Sequence, residues 1–443
     1  MSNVLARWLP RAPVWVFTAY AAATSFATYF CMYAFRKPFA VGKFAGAVVL
    51  PLVGSLDLKT LFILAQVLGY CASKFLGIKL VSEMPRQRRA LAIVLCIAVA
   101  ELGLALFAIV PPPYAALCLV VNGLPLGLIW GLVFGFLEGR IVSDLLGAGL
   151  CVSFIVASGF VKTVGKMVLG WGVSEYWMPF VTGALFFAPL VASVALLAQL
   201  PPPTKEDELL RTRRAPMDRE ARRAFFRAHA PGLVALTLAY VLLTALRDFR
   251  DNFARELWDA LGYADQPAIL TTSELPVAAG ALLAVALMMG IKDNKRALLA
   301  IHGLMLAGAV LTASSTLLYQ AHLLGPVGWM IAVGLGLYIG YVPFNCVLFD
   351  RLIAAVGSVG TAGFLIYVAD AFGYFGSSGL LLYKSLGQPK LSWLPFFIAF
   401  DHISAVLCSV LFVLSAVYFW RRTRRIDERI ESKRERVASP APT

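Results

Sequence analysis

The chain has 443 residues, of which 60% are hydrophobic and 14% are charged, and its mean hydropathy is +0.77. These values exclude an ordinary soluble domain and predict a protein that crosses a membrane several times. The net charge of +14 does not indicate nucleic-acid binding, because most of the 39 lysines and arginines lie in short polar segments between apolar runs. A basic excess in such segments is typical of the cytoplasmic loops of membrane proteins.

Twelve apolar segments are long enough to cross a membrane, which takes roughly 20 residues each. With the N-terminus in the cytoplasm, most basic residues fall on the cytoplasmic side, so we expect both termini there and the protein in the inner (plasma) membrane. The predicted spans, numbered 1 to 12 in chain order, are 13-35, 57-80, 88-110, 113-139, 146-170, 175-200, 231-250, 265-291, 296-318, 324-349, 358-383 and 394-420.

Landmarks of the chain recur after about 212 residues: Arg36 and Arg247, Gly77-Ile78-Lys79 and Gly290-Ile291-Lys292, and Glu138 with Arg140 and Asp350 with Arg351. Parallel internal repeats of six spans occur in large secondary transporters, whose substrate site lies between the two halves. We therefore predict an all-α membrane protein with twelve transmembrane helices in two pseudo-symmetric six-helix halves. Its predicted parts are an N-terminal half at 1-200, a cytoplasmic linker at 201-230, a C-terminal half at 231-420 and a basic cytoplasmic tail at 421-443.

The charges inside the spans are biased towards lysine and arginine on spans 1, 2, 5 and 7. An ionisable side chain in a span costs at least ~2.5 kcal/mol on insertion scales, so it usually faces a partner or a water-filled cavity. Lys162 and Lys166 are four residues apart and share a face of span 5, where they repel each other unless an anion or a carboxylate lies between them. Arg36 and Arg247, one from each half, present planar donors that match phosphate or carboxylate oxygens. Together these residues predict a small anionic ligand.

Three short stretches carry a further signal: YFCMYAFRKP at 29-38, SKF at 73-75 followed by Gly77, and TALR at 244-247 followed by Asn252 and Phe253. They resemble spans 1, 2 and 7 of the organophosphate:phosphate antiporters (sugar-phosphate and glycerol-phosphate exchangers) of the major facilitator superfamily. The resemblance implies that superfamily's fold, an exchange of a phosphate ester for phosphate, and a substrate phosphate held by Arg36 and Arg247, with Lys74 adding positive potential. Span 5 departs from the family, which often has a histidine there, and carries Lys162 and Lys166 instead.

Both arginines also have an alternative interpretation. Arg247 could belong to a set that neutralises itself at the outer mouth, since Asp251 lies four residues on and Asp248 and Arg250 are close by. Arg36 lies about 23 residues beyond Pro13, or about 34 Å along a helix, which places it at the outer interface unless span 1 starts lower or tilts. Two aromatic residues, Tyr33 and Tyr341, are predicted to donate hydroxyl hydrogen bonds to the substrate.

The acidic residues predict coupling and gating. Glu138 with Arg140, and Asp350 with Arg351, end spans 4 and 10 and are expected to close the cytoplasmic gate through charge networks with neighbouring loops; the alternative is a proton-carrying Glu138. Glu274 and Asp370 lie deeper in spans 8 and 11. We expect them to pair with Lys162, Lys166 or Arg247 when the cavity is empty, or to take a proton in a symporter.

The predicted function is a secondary active transporter of a small organic anion by alternating access, with a phosphate ester exchanged for phosphate as the favoured case. One alternative is a proton-coupled organic-anion symporter in which Glu138, Glu274 or Asp370 titrates, and another is a non-transporting membrane receptor with the same fold. An enzyme is not expected, because the sequence lacks metal-ligand spacing, a nucleophile with a placed base and a phosphate-cradling glycine loop. We expect no metal or cofactor, no nucleic-acid partner, contact with the lipid bilayer and a monomer.

Overall fold

The structure, a computed structural model, describes residues 7–50, 54–81, 84–138, 140, 142–204, 207, 219–357, 362–388 and 390–438. Within these residues, twelve helices are long and apolar enough to cross a membrane. The prediction of twelve spans is therefore confirmed, and the protein is a multi-pass membrane protein.

The first half contains helices Val14–Met32, Leu58–Leu80, Arg86–Ile109, Ala115–Leu137, Ser143–Gly170 and Met178–Leu197, which are spans 1 to 6. The second half contains Arg219–Asn252, Glu274–Met289, Asn294–Gln320, Pro326–Cys346, Ala362–Leu382 and Trp393–Ala438, which are spans 7 to 12. Three short helices, Ala254–Ala260, Ile269–Thr272 and Leu348–Ala355, lie between spans of the second half.

Local sequence explains where several spans begin. The carboxylate of Asp57 accepts a hydrogen bond from the Thr60 backbone N–H at 2.9 Å and caps span 2, and Asp293 caps span 9 through the Arg296 N–H at 2.8 Å. Pro326 opens span 10, where the missing N–H is not needed. Span 7 begins at Arg219, inside the predicted linker, and span 12 continues to Ala438, through most of the predicted tail.

One end of the bundle carries a small antiparallel hairpin of strands Ala47–Leu50 and Gly54–Asp57, in which Ala47 pairs with Asp57. We call this the hairpin end, and the opposite end, where span 1 begins and span 12 ends, the terminal end. Three 3₁₀ segments also occur, at Leu9–Arg11, Tyr33–Phe35 and Pro38–Val41, together with a π-helical turn at Tyr383–Gly387.

The two halves meet along spans 2 and 11 on one side and along spans 5, 8 and 10 on the other. Within the first half, spans 2 and 4 approach closely, since a Cβ atom added at Gly123 would lie 2.2 Å from the Gln66 carbonyl oxygen. Many large apolar side chains, such as Leu91, Leu102 and Val406, are exposed on the outside of the bundle. This surface suits contact with lipid, and the polar residues discussed below lie between the halves.

Candidate functional site

A small cavity, with room for about one water molecule, lies between the two halves. It is lined by Tyr33, Arg36, Lys37, Phe154 and Ser158 of the first half, and by Arg247, Asp248, Asp251 and Tyr338 of the second. Both arginines predicted to bind substrate, and one of the two tyrosines, therefore face the same cavity.

Arg36 lies on a break at the end of span 1. The α-helix stops at Met32, a 3₁₀ turn covers Tyr33–Phe35, and the N–H groups of Arg36 and Lys37 both donate to the Tyr33 carbonyl oxygen, at 3.0 and 2.9 Å. Pro38 follows, and a proline disfavours α-helix in the residue before it. The break lets Arg36 turn into the cavity although it lies far along span 1.

The guanidinium of Arg36 is buried against aromatic rings. Its Cζ atom lies 3.8 Å from the ring centroid of Tyr70 and 5.9 Å from those of Tyr33 and Tyr374, and the residue is only 4% exposed. Among the residues that the structure describes, no carboxylate lies within ion-pair distance of this guanidinium, and its Nε has no hydrogen-bond partner. Arg36 therefore brings a buried positive charge that its aromatic neighbours stabilise only in part.

Arg247 is placed differently, inside the continuous helix of span 7. Its Nη2 donates to Asp248 Oδ1 at 2.7 Å and to the Tyr374 hydroxyl at 3.2 Å, and its Nη1 donates to the Tyr341 hydroxyl. Of the two carboxylates that the sequence offered as neutralising partners of Arg247, the structure pairs it with Asp248 and not with Asp251. Arg247 thus has a carboxylate of its own half, and Tyr341 contacts the arginine.

Asp251 instead joins the two halves. Its carboxylate forms ion pairs with both Lys37 and Lys162 and accepts a hydrogen bond from Ser158. Lys37 also donates to Asn252 Oδ1 at 2.9 Å. A second ion pair between the halves, Lys59 with Glu256, lies nearby at the hairpin end. These contacts hold the hairpin end of the interface together.

The two lysines predicted to share one anion contact different carboxylates. Lys162 binds Asp251, whereas Lys166 lies 3.7 Å from Asp259 and donates to the Ala264 carbonyl oxygen at 2.7 Å. Lys162 is thus beside the cavity, and Lys166 contacts the loop at the hairpin end. The reason is that four residues of a helix span about 6 Å, so Lys166 lies nearer the hairpin end than Lys162 does.

Lys74 forms an ion pair with Asp370 across the halves, at 3.0 Å. Asp370 also accepts a hydrogen bond from the Tyr240 hydroxyl, and the Lys74 ammonium lies 5.0 Å from the Tyr70 ring centroid. Lys74 is therefore separated from Arg36 by one aromatic ring and is not part of the cavity lining.

The expected partners of Glu274 and Asp370 were wrong. Glu274 pairs with Arg250 at 2.8 Å, and Asp370 pairs with Lys74. Arg250 lies about one turn beyond Arg247 on span 7, and its guanidinium reaches both Glu274 of span 8 and the Met330 carbonyl oxygen of span 10.

The residues predicted to close the cytoplasmic gate lie at the terminal end. Arg140 donates to the carbonyl oxygens of Phe136 and Pro201, and Arg351 donates to Asn294 Oδ1 at 2.9 Å. Glu138 is exposed where span 4 ends, and Asp350 is half-buried in the short helix Leu348–Ala355. Arg351 thus contacts the start of span 9, and the gating role of these residues stays a prediction. Glu83, at the start of the loop expected to form a charge network with Glu138 and Arg140, lies outside the described residues.

The charges at and around the cavity do not balance. Four cations face two carboxylates: Arg36, Lys37, Lys162 and Arg247 against Asp248 and Asp251. An excess of two positive charges in a buried space is unfavourable unless an anion or water offsets it. No group of three His, Cys, Asp or Glu side chains that could hold a metal occurs in the described part of the chain. The arrangement is suited to binding an anion.

Several residues of this site were not singled out from the sequence. Tyr70, Tyr374, Ser158 and Tyr338 all contact the arginines or line the cavity. A helical-spacing argument could have found two of them, because Tyr70 precedes Lys74 by four residues and Tyr374 follows Asp370 by four.

The chain is similar in fold to solved transporter structures. A D-xylose-proton symporter has a TM-score of 0.58 and 12% sequence identity, over 92% of this chain and 98% of that one. A mutant of the peptide transporter POT in complex with sulfate has a TM-score of 0.59 and 14% identity, over 96% and 99% of the two chains. A proton-dependent oligopeptide transporter has a TM-score of 0.57 and 10% identity, over 92% and 99%. At these identities the similarity shows the fold, which is of the major facilitator type.

No curated protein matches the sequence. One family model, described as a family of unknown function (DUF5690), matches residues 38–422 and thus includes eleven of the twelve spans. Because this match extends over most of the chain, the protein belongs to the DUF5690 family.

Proposed function

We propose that this protein is a secondary transporter that binds a small organic anion between Arg36 and Arg247 and moves it by alternating access. The observation that carries the proposal is the buried guanidinium of Arg36, which faces the cavity without a carboxylate partner among the described residues. A second arginine, from the other half, lines the same cavity.

An anion would satisfy this arrangement in several ways. Its oxygens would accept hydrogen bonds from both guanidinium groups, which present planar pairs of donors and stay charged at physiological pH. Its charge would offset the excess of two positive charges around the cavity. Because one arginine belongs to each half, a bound anion would also hold the halves in a defined relation, which is what alternating access needs.

Within this proposal the favoured substrate is a phosphate ester exchanged for phosphate. A dianion matches the charge excess, and the stretches at spans 1, 2 and 7 resemble the organophosphate:phosphate antiporters. Lys162 and Tyr341 would support the substrate through their positions beside the arginines, and Lys74 would contribute positive potential through Tyr70. The cavity as it stands has room for about one water molecule, so even a small organic anion requires the halves to part.

The ion pairs between the halves suggest how movement is coupled to binding. Opening at the hairpin end separates Asp251 from Lys37 and Lys162, and Glu256 from Lys59. Separation leaves these lysines without their carboxylates, which is costly in a buried setting. Substrate bound to the arginines lowers the total positive charge and eases this step. An empty carrier keeps its charge and resists the return, which favours exchange over net flux.

A second candidate is a proton-coupled symporter of organic anions. It is favoured by the position of Asp370, which lies between Lys74 of the other half and the Tyr240 hydroxyl. Protonation of Asp370 would weaken the ion pair with Lys74 and so loosen the contact of spans 2 and 11. Two of the similar structures are described as proton-coupled. Uptake that collapses with an uncoupler and does not need internal phosphate would support this candidate over exchange.

The location and state of the protein are part of the proposal. The basic character of the predicted cytoplasmic segments supports an inner (plasma) membrane protein with both termini in the cytoplasm, and we take the monomer as the working unit. Labelling of single cysteines placed in the tail and in the hairpin, from outside intact cells, tests the orientation. The tail should be protected and the hairpin labelled.

The binding proposal is tested by thermal stability of the detergent-purified protein with inorganic phosphate, a hexose phosphate and a C4 dicarboxylate. A ligand at 100 times its Kd should stabilise the protein by about 2.7 kcal/mol. Arg36→Ala and Arg247→Ala should each abolish the shift. Arg86→Ala is the matched control, because Arg86 binds the Leu200 carbonyl oxygen at the terminal end and is far from the cavity lining.

Transport itself requires a second measurement. Counterflow of the stabilising anion in proteoliposomes should occur in the wild type and in Arg86→Ala, and should be lost in Arg36→Ala. Full flux in Arg36→Ala would refute the proposed role of the arginine. Binding without any flux in the wild type would favour the non-transporting receptor.

A further inference from the structure

Two buried amide side chains hold the backbone that carries Arg36. Asn122 of span 4 donates through Nδ2 to the Phe35 carbonyl oxygen at 3.0 Å and to the Ala100 carbonyl oxygen at 2.9 Å. Gln66 of span 2 donates through Nε2 to the Arg36 carbonyl oxygen at 3.0 Å and to Asn122 Oδ1 at 2.7 Å. Spans 2 and 4 are thus joined to the end of span 1 by one chain of hydrogen bonds.

This chain of hydrogen bonds is fully enclosed. Asn122 is 0% exposed and Gln66 is 3% exposed, and Asn122 lies in the middle of an otherwise apolar helix. A buried amide is unfavourable in such a place unless its donors and acceptors are used, and both Nδ2 and Oδ1 of Asn122 have partners here. The bonds are directed at the carbonyl groups of Phe35 and Arg36, where the helix of span 1 has already ended and cannot satisfy them itself.

The corresponding positions of the other half carry no amides. The positions 212 residues after Gln66 and Asn122 are Ala278 and Gly334. Arg247 does not need them, because it lies within a continuous helix that satisfies its backbone groups. The amides therefore accompany the break in span 1 and not the shared twelve-helix architecture.

We infer that Gln66 and Asn122 are positioning residues, which fix the segment 33–37 beyond the α-helix of span 1 so that Arg36 faces the cavity before any anion arrives. Neither side chain lines the cavity, so they act through Arg36 and not by touching the ligand. A preformed site loses less conformational entropy on binding, and a guanidinium held in place binds more tightly than a loose one. The claim that the two amides hold the segment rests on the hydrogen bonds alone. The claim that they strengthen anion binding rests on the proposed function.

The first test measures the segment and needs no ligand. Hydrogen–deuterium exchange of peptides covering 33–41 is compared in wild type, Gln66→Met and Asn122→Leu. Both substitutions approximate the original volume and remove the donors. We expect exchange of these peptides to quicken by about tenfold, since each loses a buried hydrogen bond. Ser193→Ala is the control, because Ser193 is buried between spans 1 and 6 and bonds only to Leu190 and Thr28.

The second test measures the anion. Inorganic phosphate, a hexose phosphate and a C4 dicarboxylate are titrated by thermal shift, and the Kd of whichever stabilises the wild type is compared among the variants. Gln66→Met should raise that Kd by about tenfold, while Ser193→Ala leaves it unchanged. The shorter Gln66→Asn keeps the amide but cannot reach both partners, so it should give the same loss if Gln66→Met does not fold.

Three results would decide against the inference or limit it. Unchanged exchange of 33–41 in the Gln66 and Asn122 variants would refute the positioning role. Faster exchange with an unchanged Kd would show that the amides hold the segment but that anion binding does not depend on it, and would refute the claim that they strengthen binding. If no anion stabilises the wild type, the proposed function fails, and the exchange measurement still decides whether the amides hold the segment.

Discussion

The two arginines of the cavity occupy related places in the two halves but are supported in different ways. Arg36 follows a break in span 1 and lies on the ring of Tyr70, with no carboxylate within ion-pair distance of its guanidinium among the described residues. Arg247 lies within a continuous helix and is paired with Asp248 of its own half. One half therefore supplies an uncompensated charge on a held segment, and the other supplies a charge that is already partly neutralised.

This difference assigns different tasks to the two residues. An anion that enters the cavity gains most from Arg36, because none of the described carboxylates forms an ion pair with it. At Arg247 the ligand has to share the guanidinium with Asp248 and with the hydroxyls of Tyr341 and Tyr374. We expect Arg36 to determine whether an anion binds, and Arg247 to connect the bound anion to the second half.

The largest expected effect is on the stability of the ligand-free protein, which one arginine variant should lower and the other should raise. Arg247→Met leaves Asp248 buried and unpaired, and breaking a buried ion pair in this way costs about 3–5 kcal/mol. Arg36→Met removes a charge that has no carboxylate partner and keeps the side-chain volume, so stability should rise by about 1 kcal/mol. Thermal unfolding of both variants in the same detergent, without any added anion, measures the two shifts.

The double variant Arg247→Met with Asp248→Asn is the control for this comparison. It removes both members of the pair and should recover most of the lost stability. Equal losses in Arg36→Met and Arg247→Met would contradict the difference drawn here between the two arginines.

A smaller effect is expected when Asp251 is neutralised. Lys37, next to Arg36, takes its carboxylate from the other half, so Asp251→Asn leaves Lys37 and Lys162 without a negative partner while Arg247 keeps Asp248. We expect the hairpin end to open, with the open population increased at least about tenfold. Double electron–electron resonance measures this opening as the distance between spin labels at Val49→Cys and Asp265→Cys in a cysteine-free background.

Glu175→Gln is a matched control for Asp251→Asn. Glu175 also lies at the hairpin end but accepts hydrogen bonds from the backbone of Lys43 and Phe44 within the first half. Its neutralisation should leave the distance distribution unchanged. An unchanged distribution in Asp251→Asn would mean that the ion pairs of Lys37 and Lys162 do not hold the halves together.

A gain in anion affinity is expected when Asp248 alone is neutralised. Asp248→Asn makes Arg247 resemble Arg36, because both guanidinium groups then lack a carboxylate. The negative charge of Asp248 would lie within a few ångströms of the bound anion and repel it. Its removal should lower the Kd by about tenfold at low salt and by less at high salt. Titration of the stabilising anion at two ionic strengths tests this. Weaker binding would show that Asp248 is needed to orient Arg247 more than it competes with the ligand.

The sequence predicts much of the architecture because its signals are long. Each span is an apolar run of about 20 residues or more, and Arg36 and Arg247 mark the ends of related runs. Their convergence on one cavity follows from the repeat. The choice of ion-pair partners does not, because it depends on how each helix is rotated and where it breaks. Asp251 pairs with Lys37 and Lys162, not with Arg247. The role of the Gln66 and Asn122 amides depends on where the α-helix of span 1 ends, which the sequence does not indicate.

The smallest expected effect on anion affinity is that of Tyr70→Phe, which is compared with Tyr341→Phe. Arg36 contacts the face of Tyr70, so Tyr70→Phe keeps that contact and should change anion affinity less than about twofold. Arg247 donates to the hydroxyl of Tyr341, so Tyr341→Phe removes an acceptor that serves a charged donor and should weaken binding by about tenfold. Titration of the same anion against both variants measures the ratio. Tyr70→Leu, which removes the ring, should weaken binding where Tyr70→Phe does not, because the guanidinium of Arg36 then loses its main neighbour.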